Sequence, residues 1–357
     1  MATPSEQIIE VRPDEQLDQD ALTAYLADRL PGAVPPLTVR QFGGGKANLT
    51  YLLDYGTHQY VLRRPPLGPV AAGAHDMERE STVLMRLHRA FPLAPEAFLY
   101  CGDEEVIGTP FFVMERRRGV VVRTDLPEVY ADVPDAPQRL AYALVDTLAD
   151  LHAVDPARVD LDDLGRPNGF IERQIEGWYK RWTAAAPQPL AVVDEVVDWL
   201  RSHCPKKEAA TLVHNDYKLD NLMWAADDPG APVAVFDWDM CTVGDPLSDV
   251  GALLTYWVRP DDPAPFQQFA TMPLDERFPT RHDVAERYAR ASGRNLSDLR
   301  FYHALGLFRL TVIVAQIYIR YKRGQTQDER FAGLKPMIEI TAQAAHDVTQ
   351  GRGLAVA

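Results

Sequence analysis

The first third of the chain alternates short apolar runs with turn-forming residues, a pattern typical of β-strands. An amphipathic segment precedes these runs and carries Leu22, Leu26 and Leu30 at helical spacing, before the stop signal Pro31-Gly32. The elements predicted here are a helix over 18–30, strands over 37–42, 51–53 and 60–63, a helix over 75–87, and strands over 98–100 and 109–115.

The remainder of the chain is dominated by apolar positions at helical spacing. Two short apolar runs, 211–213 and 232–236, interrupt it and predict strands. We therefore predict an α+β protein with two domains, a sheet-containing domain over 1–115 and a mainly helical domain over 116–357. The helices predicted in the second domain cover 137–152, 170–182, 250–257, 281–292, 298–321 and 328–349.

Composition limits the function classes. With 46% hydrophobic and 25% charged residues, the 357-residue chain resembles ordinary globular proteins. Its formal net charge of −14 argues against a nucleic-acid partner, because neutralisation of phosphates by Lys and Arg supplies most of that affinity. An acidic surface suits a cationic substrate or serves solubility alone. The composition leaves the oligomeric state open.

Cysteine usage and hydropathy predict a cytoplasmic protein. Cys101, Cys204 and Cys241 are odd in number and lack metal-ligand spacing, which favours a reducing compartment. The first residues show no signal-peptide pattern. The apolar stretch 304–319 contains Arg309 and Gln316 and is short for a membrane span, so we predict a buried helix and no membrane partner.

The candidate chemistry lies where the two late strands end. Asp216 and Asn221 follow the strand over 211–213, and Asp237 follows the strand over 232–236. This arrangement predicts that the three side chains gather around one small volume. Mg²⁺ takes oxygen ligands and usually keeps several waters, so an amide oxygen and a carboxylate beside substrate phosphates suit it. Asn221 and Asp237 are therefore candidate metal ligands, which leaves Asp216 as a base.

The spacing H-x-D-x-K-x-x-N, which runs from His214 to Asn221, resembles the catalytic loop of kinases. The continuation Asp237-Trp238-Asp239 and then Gly244-Asp245-Pro246-x-x-Asp249 is similar to that of the aminoglycoside phosphotransferase family, in particular the branch associated with acyl-CoA dehydrogenases. The resemblance implies a two-lobed protein-kinase-like fold and transfer of the ATP γ-phosphate to a small-molecule hydroxyl, with Mg²⁺. It also implies Asp216 as the base, Lys218 as a cation at the γ-phosphate, and His214 as a brace of the loop.

Nucleotide-binding residues follow from the same resemblance. The glycine-rich segment with Gly44, Gly45 and Asn48 lies where a loop would contact phosphates; an ordinary hairpin turn is the alternative. Arg63 stands where kinases carry lysine, with Arg64 as a rival by one register, and Glu80 is its expected partner. Glu115 begins the expected hinge at the adenine edge. The run Arg116 to Arg118 after it is a solvated connector or a basic rim for an anionic substrate.

The sequence leaves alternatives open for the acceptor, for the role of Asp239 and for the function. The resemblance suggests a hydroxyacyl-CoA-like acceptor or an aminoglycoside-like one, and the aromatic helix with Trp178 and Trp182 is a candidate wall of its pocket. Asp239 is a second metal ligand or part of that wall, and Asp249 is a helix cap.

The runner-up function is a nucleotide-binding pseudokinase or regulatory module without turnover. The arginine at position 63 gives it slight support, whereas the intact Asp216, Asn221 and Asp237 weigh against it. A protein kinase ranks third.

Overall fold

The chain folds into two compact units that are discontinuous in sequence. The computed structural model describes residues 8–43, 48–68, 76–206, 209–326 and 328–354. The first unit extends to Val121 and also takes in Val159–Leu161 and Leu222–Cys241; the second comprises Val122–Arg158, Asp162–Asn221 and the chain from Thr242. The sequence predicts one boundary, after Glu115, whereas contacts assign three separate segments to the first unit.

The first unit is built on an antiparallel sheet. In the described part of the chain its strands follow the spatial order β1-β2-β3-β4-β6-β5. Its inner face buries Tyr51, Leu53 and Leu62, which contribute to one apolar cluster. These strands are β1 (Ile8–Ile9), β2 (Thr38–Phe42), β3 (Leu49–Asp54), β4 (Gln59–Arg64), β5 (Ala97–Cys101) and β6 (Phe111–Glu115).

Aspartates begin the helices of this unit. Helix α1 (Gln19–Leu26) starts after Asp18, whose carboxylate accepts from the amide of Ala21 at 3.0 Å. Helix α2 (Met77–Leu87) starts after Asp76 in the same way. Helix α1 is shorter than predicted, because residues 27–30 form turns that still bury Leu30. A short helix, α3 (Glu104–Ile107), follows β5.

A second, three-stranded sheet completes the first unit, again among the described residues. It has the order β10-β9-β7, with β7 (Val120–Val121), β9 (Leu222–Ala225) and β10 (Asp228–Val235). Strand β9 was not predicted, and β10 begins at Asp228, ahead of the strand predicted over 232–236. Gly119 is required beside this sheet, because a Cβ atom there would lie 2.3 Å from the carbonyl oxygen of Trp224.

The second unit is mainly helical and, in the part that the structure describes, contains one two-stranded antiparallel sheet. Strand β8 (Thr211–Val213) pairs with β11 (Thr242–Gly244), so the chain leaves β8 directly into the predicted catalytic loop. The helices are α4 (Ala136–Ala153), α5 (Phe170–Ala185), α6 (Ala191–Ser202), α7 (Leu247–Tyr256), α8 (Ala264–Gln267), α9 (Arg281–Ser292), α10 (Leu299–Lys322) and α11 (Leu334–Thr349).

Helix α10 is the apolar helix expected from the sequence. Among the described helices it alone is long and apolar enough to cross a membrane, and 72% of its most apolar window is buried inside the protein. That burial is the pattern of a core helix. It packs closely on α7, because Cβ atoms at Gly251 and Gly306 would lie 2.2 Å from the Tyr302 carbonyl oxygen and 2.5 Å from Thr255 Oγ1, respectively.

Candidate active site

The loop after β8 gathers three of the predicted catalytic side chains within the second unit. The Asp216 carboxylate oxygen Oδ2 accepts from Lys218 Nζ at 2.9 Å and from Asn221 Nδ2 at 3.0 Å. Asn221 Nδ2 also donates to the Asp216 carbonyl at 2.8 Å. About a fifth of the Asp216 side chain is exposed (20%). The carboxylate is therefore held in one orientation and remains accessible to a ligand.

The charge on Lys218 is maintained by its neighbours. Burial opposes the ammonium form, but the carboxylates of Asp216 and Asp220 outweigh it and raise the pKa of Lys218 well above its ordinary value. Burial raises the pKa of Asp220, and its Oδ1 has no hydrogen-bond partner among the described residues. Lys218 is thus a fixed cation beside the candidate base, consistent with its predicted contact with a phosphate.

Asp249 holds the backbone of this loop. Its two carboxylate oxygens accept from the amides of His214 and Asn215, each at 2.7 Å. Asn215 has a φ of 64°, a left-handed conformation that is uncommon for residues other than glycine. The buried carboxylate therefore stabilises the strained backbone immediately before Asp216. The sequence predicts only a helix cap at Asp249, although the D-P-x-x-D spacing marks the residue.

A buried histidine supports Asp249 in turn. His152 Nε2 lies 3.1 Å from Asp249 Oδ2, and its Nδ1 lies 2.7 Å from the hydroxyl of Tyr288. Burial lowers the pKa of His152, whereas hydrogen bonds from His152 and the His214 amide overcome burial and lower the pKa of Asp249. A neutral imidazole that donates through Nε2 and accepts through Nδ1 fits these contacts. His152 therefore has a structural role, because it holds the carboxylate that braces the loop.

In the first unit, Arg63 bridges two acidic residues. Its guanidinium lies 3.1 Å from Glu80 Oε1 and 2.5 Å from Asp237 Oδ1. The Glu80 side chain is 1% exposed. Burial and the charges of Asp237 and Asp239 raise the pKa of Glu80 to about 7, although the charge of Arg63 lowers it. The Glu80 partner expected for Arg63 is therefore in contact with it.

The neighbouring arginine lies on the opposite face of β4. Arg64 Nη2 donates to the hydroxyl of Tyr51 at 2.7 Å and to the carbonyl of Glu15 at 3.0 Å. Successive side chains of a strand alternate between faces, so one arginine reaches the acidic pair and the other the N-terminal segment. This contact set favours Arg63 over Arg64 as the candidate phosphate ligand.

The predicted metal ligands lie in different units. Asn221 belongs to the second unit and Asp237 to the first. Asp237 has a φ of 70°, and its side chain remains 33% exposed beside Arg63. That Asp216, Asn221 and Asp237 share one site stays a prediction.

The match to known families agrees with these residues. A family model described as "Phosphotransferase enzyme family" (APH) matches residues 38–299. The chain belongs to this family. The resemblance stated from the sequence is confirmed, as is the α+β kinase-like fold, and the family assigns the chain to kinase-type transfer of phosphoryl groups to small molecules.

Relatives of the APH chain include longer proteins. It is 32% identical to human acyl-CoA dehydrogenase family member 11 over 338 residues, which are 92% of this chain and 42% of that protein. It is 30% identical to Arabidopsis thaliana probable acyl-CoA dehydrogenase IBR3 over 340 residues, 89% of this chain and 41% of the relative. The chain thus spans about two fifths of the length of these relatives.

Solved structures show the same fold. A Ralstonia eutropha protein assigned to the aminoglycoside phosphotransferases superposes with a TM-score of 0.80 at 28% identity, covering 94% of this chain and 99% of that one. A thermostable mutant of aminoglycoside phosphotransferase APH(4)-Ia, in ternary complex with AMP-PNP and hygromycin B, superposes with a TM-score of 0.59 at 20% identity, covering 93% and 100%. The second likeness concerns the fold alone.

The other predicted nucleotide-binding residues of this APH chain are described to different extents. Gly44 and Gly45 lie outside the described residues, whereas Asn48 is buried at the start of β3. Glu115 ends β6, and its carboxylate lies 2.9 Å from Arg117 Nη2. Their roles in nucleotide binding stay predictions.

The arginine run after Glu115 is anchored inside the first unit. Arg117 donates to the carbonyls of Pro92 and Val233 at 2.9 Å and 3.3 Å. Arg116 and Arg118 both donate to Gln59 Oε1. These contacts favour a structural connector over a rim that binds an anionic substrate, and they show that the segment is more fixed than a solvated loop.

Proposed function

We propose that the chain is an ATP- and Mg²⁺-dependent phosphotransferase that transfers the γ-phosphate to a hydroxyl of a small-molecule acceptor. The observation that carries this proposal is the accessible Asp216 carboxylate, held by Lys218 and Asn221 on a loop that Asp249 braces. A carboxylate fixed in this way orients and deprotonates an attacking hydroxyl, which is the main requirement for a base in phosphoryl transfer.

The charges around Asp216 suit the same reaction. Lys218 keeps its ammonium form, so it neutralises charge on the transferred phosphoryl group. In the first unit, Arg63 supplies a second fixed cation, which Glu80 orients through their 3.1 Å ion pair. We propose that Arg63 contacts the nucleotide phosphates, with Gly44, Gly45 and Asn48 at the phosphates and Glu115 at the adenine edge.

The donor atoms of Asn221 and Asp237 suit Mg²⁺. Asn221 uses its Nδ2 on Asp216, which leaves the amide oxygen as its donor to a hard cation. Asp237 supplies a carboxylate, whose Oδ1 contacts Arg63. We propose these two residues as the protein ligands. A bound Mg²⁺ would supply charge neutralisation at the phosphates.

Two acceptor classes have support. The relatives are named acyl-CoA dehydrogenase family members, which favours a hydroxyacyl-CoA-like acceptor. The Ralstonia eutropha protein assigned to the aminoglycoside phosphotransferases favours an aminoglycoside-like one. A nucleotide-binding module without turnover is the alternative function.

Nucleotide turnover with a panel of hydroxyl compounds tests the proposal. Acceptor-stimulated ATP turnover is expected in the wild type, and Asp216→Asn should lower kcat by about 10²- to 10⁴-fold because the base is lost. Asp163→Asn, which alters an exposed aspartate of the same unit, is the matched control. Binding of MgATP without turnover of any acceptor would instead support the nucleotide-binding module.

A further inference from the structure

The turn that carries Asp237 comprises residues 237–241 of the first unit and follows strand β10. Asp237 has a φ of 70°, a left-handed conformation that a residue with a side chain keeps only where its surroundings hold it. A single 3₁₀ turn, Trp238–Met240, follows, and the amide of Cys241 donates to the carbonyl of Trp238 at 3.0 Å. So short a segment closes few internal hydrogen bonds, and its conformation therefore depends on contacts with other elements.

Trp238 fixes the beginning of this turn on its apolar side. It is buried, and its Nε1 donates to the carbonyl of Val235 at 2.8 Å. Its ring meets that of Phe91 edge-on, with 6.0 Å between the two centroids. The amide of Phe91 in turn donates to the carbonyl of Leu87, the last residue of helix α2, at 2.9 Å. The beginning of the turn is thus packed against the end of α2.

Arg79, in the first turn of helix α2, holds the end of the Asp237 turn. Its Nη2 donates to the carbonyl of Cys241 at 2.7 Å, a contact that spans 162 positions of the sequence. The backbone from which this side chain extends is itself fixed, because the capping carboxylate of Asp76 accepts from the Arg79 amide at 2.9 Å. A hydrogen bond from a charged donor is stronger than one between neutral groups, so Arg79 attaches the turn firmly to α2.

The residue after Arg79 reaches the same turn through Arg63. Glu80 lies 3.1 Å from Arg63, whose guanidinium lies 2.5 Å from Asp237 Oδ1. Helix α2 therefore reaches the first residue of the turn through Arg63 and its last residue through Arg79. A turn held at both ends keeps the Asp237 carboxylate in one position.

A second arginine of α2 makes a similar contact away from this turn. Arg86, in the last turn of the helix, donates to the carbonyl of Asp160, which belongs to the segment 159–161 of the same unit. Both arginines thus attach a distant backbone carbonyl to α2. The segment that Arg86 attaches carries none of the predicted site residues, so a comparison of the two arginines separates support of Asp237 from support of the fold.

We propose that Arg79 is a positioning residue that holds Asp237 for a divalent cation. The inference rests on the proposed function, in which Asp237 is a metal ligand. Mg²⁺ tolerates little departure from octahedral geometry, so its affinity depends on how closely a protein ligand is fixed. Loss of the Arg79 contact releases the end of the turn and weakens the metal, whereas the phosphate contact proposed for Arg63 remains.

The experiment measures the binding of AMP-PNP to the full chain by titration calorimetry, once with excess Mg²⁺ and once with EDTA. The metal strengthens binding by the factor that relates the two dissociation constants, here called the metal factor. Arg79→Gln should reduce the metal factor about tenfold or more, as loss of a charge-assisted hydrogen bond predicts, and leave the dissociation constant in EDTA unchanged. Arg79→Lys keeps a charged donor and should restore part of the metal factor.

Two further variants are the controls. Asp237→Asn weakens the proposed metal ligand and should also reduce the metal factor, whereas Arg86→Gln should keep the wild-type value. Hydrogen exchange of peptides that cover 237–241 should be faster in Arg79→Gln than in the wild type and in Arg86→Gln. Unchanged protection of strands β3 and β4 shows that the variant is folded.

The inference is supported by a reduced metal factor together with faster exchange of the turn, both in Arg79→Gln and neither in Arg86→Gln. Either change without the other, or equal effects of the two arginine variants, would overturn it. If Asp237→Asn reduces the metal factor and Arg79→Gln does not, the inference alone fails. If Mg²⁺ does not strengthen binding in the wild type, or Asp237→Asn keeps the wild-type factor, the metal site of the proposed function fails and the inference with it.

Discussion

At the scale of single residues, the catalytic loop depends on the carboxylate of Asp249, which is not one of the predicted metal ligands. Asp249 accepts from two consecutive backbone amides, and His152 supports it from another helix. The loop backbone at Asn215 is left-handed, which costs about 1 kcal/mol or more unless other contacts stabilise it. The orientation of Asp216 therefore depends on residues that are distant in sequence.

Asp249→Asn should impair the loop more than the ATP affinity. The amide can accept at one oxygen only, so one of the two loop amides loses its partner and kcat should fall by at least about tenfold, with little change in the MgATP dissociation constant. Steady-state kinetics and titration calorimetry measure the two quantities. Tyr288→Phe removes one hydroxyl from the same network and should have a smaller effect; an unchanged kcat in Asp249→Asn would contradict the bracing role.

At the scale of elements, helix α10 is both buried in the core and closely packed against α7, and a hydropathy pattern does not distinguish these two requirements. Its apolar residues bury it in the core, while Gly306 allows α7 to approach and His303 lies fully buried, with neither ring nitrogen hydrogen-bonded to a described residue. Burial, together with the charge of Arg281, lowers the pKa of His303 to about 3. The helix thus carries a neutral histidine in an apolar setting.

The stability of the protein should fall in acid because of His303. Between pH 6.5 and 3 the unfolded chain binds a proton at this histidine and the folded chain does not, so the free energy of unfolding falls as the pH is lowered through that window. At pH 5 the loss is about 2 kcal/mol, from roughly 1.4 kcal/mol per pH unit.

Urea unfolding of the wild type and His303→Leu at pH 8 and pH 5 measures this contribution. The variant should lose about 2 kcal/mol less than the wild type between the two pH values. His282→Leu, at an exposed position of α9, controls for the removal of one histidine. Parallel losses in the wild type and His303→Leu would show that His303 does not carry the acid sensitivity.

Gly306→Ala should destabilise the contact of α7 with α10. The added methyl group would lie 2.5 Å from Thr255 Oγ1 and 2.8 Å from the Gly251 carbonyl oxygen, so we expect a loss of about 1–3 kcal/mol in urea unfolding. Gly177→Ala in α5 is the matched control, since its nearest contact would be 3.5 Å and helix propensity should stabilise it by about 0.5–1 kcal/mol. Similar effects of both substitutions would argue against a packing constraint.

At the scale of the whole molecule, the two arginines of β4 should separate nucleotide binding from folding. MgATP at 100 times its dissociation constant should raise the free energy of unfolding by about 2.7 kcal/mol. If Arg63 binds phosphate, Arg63→Gln should need an MgATP concentration at least about tenfold higher for the same stabilisation. Thermal unfolding across an MgATP titration measures both the stabilisation by MgATP and the concentration that it requires.

Arg64→Gln is the control for this titration. Arg64 contacts Tyr51 and Glu15 instead of the acidic pair, so its loss should lower the stability of the free protein and leave the dependence on MgATP unchanged. A normal MgATP response in Arg63→Gln would remove Arg63 from the candidate nucleotide site.

Local patterns in the sequence determined most helices, five strands of the first sheet and the group Asp216, Lys218 and Asn221, whereas the two-residue strand β1 was not predicted. These features depend on residues close together along the chain, where periodicity, turn chemistry and motif spacing act directly. Helix α6 was missed although its apolar residues have helical spacing. Strand β9 was missed because it is short; it pairs with its sequence neighbour β10 and with the distant strand β7.

Only the tertiary structure decided which arginine of β4 meets Glu80 and how Asp249 holds the catalytic loop. Alternation along a strand leaves its two faces equivalent until packing buries one of them. The contact of His152 with Asp249 spans 97 positions, and that of Arg63 with Asp237 spans 174. Such groupings arise when distant segments pack together, so no local pattern in the sequence specifies them.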